Sequence, residues 1–74
     1  MHFGRIDVTI APKSQQEIPV NYKCKNIIAN AMSSYFNVKA QGKTYGNDKS
    51  ATVLVFNHEN IKWEGVVGWF GEVI

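Results

Sequence analysis

The segment from Asn37 to Thr44, NVKAQGKT, comes nearest in this chain to a pattern with a defined chemistry. It differs from the phosphate-cradling loop G-x-x-x-x-G-K-[ST] only in carrying Asn37 where that loop has its first glycine. Such a loop needs a strand before it and a helix after it, so that free amides and the positive end of the helix converge on phosphate. Here the preceding stretch has helical spacing, while Gly46 and Asn47 signal a turn into a strand. The context is reversed, and a chain of 74 residues is too short for a nucleotide-hydrolysing fold.

A looser chemistry survives in the same region. Lys39, Lys43 and Lys49, with Tyr45 among them, form a basic and aromatic-bearing loop, and Lys23 and Lys25 add charge at the start of the preceding element. Lysines of this kind neutralise backbone phosphates and a tyrosine offers a face on which a base stacks, so these six residues define a nucleic-acid-binding alternative. Residues 21 to 49 carry a net +4 and the flanks a net −2, an asymmetry that permits such contact without demanding it. The same lysines read equally well as solvated surface.

The remaining reactive groups point away from catalysis. Cys24 falls on the apolar side of its segment and reads as a buried, inert thiol. With His2 and His58 it makes three nitrogen or sulfur ligands, one short of a structural zinc tetrahedron, and the three are far apart in sequence. Asp7 with Glu17, or Glu64 with Glu72, are generic carboxylates that any protein carries. The expectation is a non-enzymatic protein with no metal, no cofactor and no small-molecule substrate.

The elements that position these residues belong to one domain, 1–74. The chain is 45% hydrophobic and only 19% charged, which suits a packed globule rather than a disordered segment. A single cysteine excludes an internal disulfide, and Arg5 and Asp7 interrupt any leader-like apolar run near the N-terminus. A cytoplasmic location is expected, without membrane insertion.

From Gly4 to Ala11 the alternation of Ile6, Val8 and Ile10 with Arg5, Asp7 and Thr9 predicts a half-buried strand, ended by Pro12. Lys13 to Glu17 reads as a polar turn. Asn21 is placed to cap a helix over Tyr22 to Phe36, because Cys24, Ile27, Ile28, Ala31, Met32, Tyr35 and Phe36 recur at intervals of three and four. A short strand is expected near Val38 to Gln41 or Lys43 to Tyr45. Ala51 to Asn57, apolar on both faces, predicts a central strand, and Ile61 onward returns as another. The fold class expected is therefore α+β: a small antiparallel sheet of three to five strands, order β-α-β-β-β, with one amphipathic helix packed on one face.

The closing stretch, IKWEGVVGWFGEVI, decides the functional reading. A straight strand puts Trp63 and Trp69 on one face and Val66, Phe70 and Ile74 on the other, whereas a bulge at one of its glycines exchanges the faces. One helix covers only one side of a sheet, so the far face or an edge is expected to meet another chain, a protein target or an identical copy in a homodimer. The alternative is a sheet that curls and buries these residues itself. Trp63, Trp69 and Phe70, with Phe56 and Ile74 behind them, are the expected partner-binding residues. The function implied is a protein-binding module, or a small inhibitor or accessory protein acting by steric occupation. By size alone it suits a phage or another mobile element.

Overall fold

The computed structural model describes residues 1–35, 37–46 and 50–73. Its elements are five strands, β1 (His2–Ile10), β2 (Ser14–Met32), β3 (Val38–Tyr45), β4 (Ser50–Asn57) and β5 (Trp63–Val73). They form one antiparallel sheet in the order β1-β5-β2-β4-β3.

The expected helix is absent, and the α+β class is replaced by an all-β fold. Residues 22 to 32 are the second half of the 19-residue strand β2. The apolar spacing that suggested a helix has another cause. A register shift between Cys24 and Asn26 inserts a bulge, so the inward residues run Cys24, Ile27, Ala29, Ala31. One extra residue turns an alternating pattern into an interval of three. Ile28 and Met32, assigned to the same helical face, instead point outward. Asn21 is no helix cap either, since its φ of 63° places it in the left-handed region, where β2 shifts its register against β4 before passing to β5. Phe36, the last residue of the expected helix, lies outside the described residues.

Strand β2 organises the molecule because its two halves pair differently. Ser14 to Pro19 pair with β4, although the sequence there suggested a turn, and Cys24 to Met32 pair with β5. The sheet consequently bends, and β3 comes to lie over the second half of β2. A Cβ at Gly42 of β3 would stand 2.5 Å from the carbonyl oxygen of Ile27, so only glycine allows this approach. The second layer that a helix was expected to supply is thus provided by the sheet itself.

Between the layers lies a core of Val8, Ile10, Val20, Cys24, Val38, Val53, Val55, Trp63, Val67 and Trp69. Val53, Val55 and Val67 are fully enclosed, each worth about 1.5–3 kcal/mol relative to exposure. Strand β5 keeps one register against β1 from Trp63 to Gly71, so Trp63, Gly65, Val67, Trp69 and Gly71 all face inward. Room for the indoles comes from small neighbours. Trp69 pairs with Gly4 on one side and Ala29 on the other, and Trp63 folds over Gly65. Among the described residues no helix is long and apolar enough to cross a membrane.

Candidate protein-docking face

The outer surface of β1, β5 and the second half of β2 is built by simple alternation. In β1 the inward residues are Ile6, Val8 and Ile10, so Phe3, Arg5, Asp7 and Thr9 face out. In β5 the outward row is Glu64, Val66, Gly68, Phe70 and Glu72, and in β2 it is Ile28, Asn30 and Met32. The ladders set these in lines across the strands. Phe3 pairs with Phe70 and Phe70 with Ile28; in the next line Arg5 pairs with Gly68 and Gly68 with Asn30; then Asp7 meets Val66 and Val66 meets Met32.

The first line is an exposed apolar ridge. Phe3 is 82% exposed, Ile28 57% and Phe70 44%, and Met32 beyond them is 58% exposed. Beside the ridge lies an open hollow of about 280 Å³, lined by Phe3, Ile28, Met32 and Phe70 with Arg5 and Asn30 at its rim. Gly68 is one of its walls and has no side chain to fill it. A Cβ there would meet only the flexible end of Met32, 3.2 Å away. Charge of both signs borders the face: Lys25 lies 3.6 Å from Glu72, which also accepts from Asn26 at 3.3 Å, and Lys62 lies 3.0 Å from Glu64. Such a surface can exclude water from an apolar partner and orient it by its rim.

The residues expected to bind a partner are distributed unevenly. Phe70 is on this face. Trp63 and Trp69 are in the core, 4% and 7% exposed, and serve as its support from beneath. Phe56 is half-buried on the outer side of β4, stacked at 6.1 Å on His58 and paired with Gln15 and Lys39, so the fold does not bring it to Phe70. Ile74 lies outside the described residues. Phe3, Ile28 and Met32 were not anticipated. An aromatic on the polar row of the β1 alternation was the signal for Phe3, and the mistaken helix hid Ile28 and Met32 on its apolar side.

The basic residues collect elsewhere. Lys39, Lys43 and Tyr45 share the outer face of β3, but an acid sits among them. The Tyr45 hydroxyl donates to Glu17, Thr52 donates to the same carboxylate at 2.8 Å, and the Lys43 ammonium lies 4.7 Å over the Tyr45 ring. The Tyr45 hydrogen bond, then that of Thr52, hold the Glu17 carboxyl below its ordinary range, aided by the charge of Lys43 and opposed by slight desolvation. Lys25 and Lys43 border one open groove between β2 and β3, while Lys23 pairs with Ser50 at the bend of β2. Lys49 lies outside the described residues.

The other reactive groups stay apart. Cys24 is buried against Gly71, His2 stacks on Tyr22 at 4.2 Å, and His58 is exposed in the β4–β5 connection. Among the described residues no three His, Cys, Asp or Glu side chains gather as metal ligands would. Comparison with protein-family models, with curated proteins and with solved structures gives no match, so the character of the face rests on its own geometry.

Proposed function

We propose that this chain is a non-enzymatic protein-binding module that works by steric occupation, docking through the outer face of β1, β5 and the second half of β2. The observation that carries the reading is the exposed line Phe3–Phe70–Ile28 beside the Gly68 hollow. A large aromatic side chain presents roughly 150–250 Å². Two of them with Ile28 and Met32 therefore form a patch of a few hundred Å², the size at which exposed apolar surface on a small protein is commonly functional. Phe70 remains a contact residue, joined by Phe3, Ile28 and Met32, while Trp63 and Trp69 hold the face rigid from below.

The nucleic-acid alternative is favoured by one observation, the alignment of Lys39, Lys43 and Tyr45 on β3. It is weakened by another, because Glu17 occupies the tyrosine hydroxyl and sets a negative charge beside Lys43.

The two readings separate on variants used as bait in extracts of the native host, with near-ultraviolet circular dichroism of the buried indoles as the folding control. Phe3→Ser and Phe70→Ser are expected to lose protein capture, and Lys39→Glu with Lys43→Glu to keep it. The reverse pattern, joined by salt-steep binding of single-stranded RNA or DNA that the lysine changes abolish, overturns the docking reading in favour of nucleic acid.

A further inference from the structure

The docking reading leaves the partner open, and the inference here rests on that reading. We infer that the outer face of β1, β5 and β2 pairs with the same face of a second copy, in an isologous dimer held by Phe70 entering the Gly68 hollow of the other chain.

The face carries both halves of a self-complementary contact. A knob, Phe70, and a hole, at Gly68, stand two residues apart on the same face of one strand, about 7 Å along β5. Consider a two-fold axis lying between two such faces, perpendicular to the strands and midway between those residues. It sets each Phe70 opposite the other chain's Gly68, and it does so twice, because an isologous contact repeats every pairing. Strand directions then remain close to aligned, as face-to-face sheets prefer.

The same operation acts on β1. Phe3 and Arg5 are the ladder partners of Phe70 and Gly68, so each Arg5 falls opposite the other chain's Phe3. A guanidinium over a phenyl ring is favourable, and more so once water is excluded. On β2, Ile28 falls opposite Asn30, at the rim where polar groups remain wet. A face bearing Arg5 beside Asp7, and Lys25 beside Glu72, is balanced in sign, as a surface that meets its own copy must be.

Size points the same way. The hollow of about 280 Å³ opens to solvent on the same apolar face that carries Phe70. It has room for an anchoring aromatic side chain from a facing surface.

The test is the mass of the purified full chain, by sedimentation equilibrium from the low micromolar to the submillimolar range, with near-ultraviolet circular dichroism as the folding control. The wild type is expected to dimerise. Phe70→Ala removes the knob and Gly68→Leu fills the hole, each weakening the dimer by roughly tenfold or more, the loss expected of an anchoring contact. The double variant Gly68→Leu with Phe70→Ala exchanges knob and hole and is expected to associate more tightly than either single variant. A folded wild type that stays monomeric throughout overturns the inference, as does a dimer that both single variants leave intact. The broader docking reading falls separately, when Phe70→Ser also leaves capture of a host protein unchanged.

Discussion

Asn57 is the one polar side chain enclosed in the core among the described residues, and its amide does the work of a small hub. Its Nδ2 donates to the carbonyls of Ile10 (3.1 Å), Ala11 (3.2 Å) and Ile61 (2.9 Å), and its Oδ1 accepts from the amide of Glu59 at 3.0 Å. The end of β1, the end of β4 and the connection to β5 are thereby tied to one residue. Replacing it by Leu takes their partner from the buried Ile10 carbonyl and from three part-buried backbone groups, a loss expected at about 2–4 kcal/mol and measurable by urea unfolding. Glu17 makes the opposite kind of contribution, exposed and dependent on pH. Its carboxyl is held below the ordinary range chiefly by the Tyr45 hydroxyl, so the folded state binds that proton less readily than the unfolded chain. Its stabilising effect is complete above the unfolded-state value and fades as pH falls through the lowered folded one. In Glu17→Gln the acid limb of the stability–pH curve, read by urea unfolding at a series of pH values, should be shallower than in the wild type.

At the scale of the element, β2 is the segment on which the fold turns. Its register against β4 shifts between Pro19 and Lys23, through Asn21 at φ 63°, and from Cys24 onward its partner is β5. Asparagine tolerates this conformation and β-branched residues do not, so Asn21→Val is expected to cost about 1–2 kcal/mol whereas Asn21→Gly is close to neutral, both read from thermal or urea unfolding. This same element was the least legible in the sequence. The strand character of β1 and β4 is visible in local alternation, Ile6–Val8–Ile10 and Val53–Val55 against Leu54–Phe56. In β2 the bulge at Cys24–Asn26 breaks the alternation and leaves a three-and-four spacing that a helix also satisfies. Its composition argued the other way, since Asn26, Ile27, Ile28 and Asn30 are all poorer helix formers than alanine or leucine. The ladder with β5, running from Cys24 to Met32, acts in the same direction as that weak preference and makes the segment a strand.

At the scale of the whole molecule, a sheet of 38 × 19 × 16 Å overall covers itself. Bending at β2 lays β3 over Ile27 and seals Trp63 and Trp69 between two layers. The surplus of apolar surface inferred from the closing stretch is thereby reduced to one face, where Phe70 is joined by residues from two other strands. One residue of the candidate site was thus visible beforehand, because Phe70 lies within an obvious strand. The other three were not, because Phe3 is near the N-terminus and Ile28 and Met32 belong to the misread element, and only the ladders bring them together. What local composition and periodicity settle here is that the chain packs a core and that β1, β4 and β5 are extended. Whether residues 22 to 32 coil or extend, and which row of β5 is enclosed, depends on hydrogen-bond partners tens of residues away. A pattern of side chains records its own period but not the strand that will lie beside it.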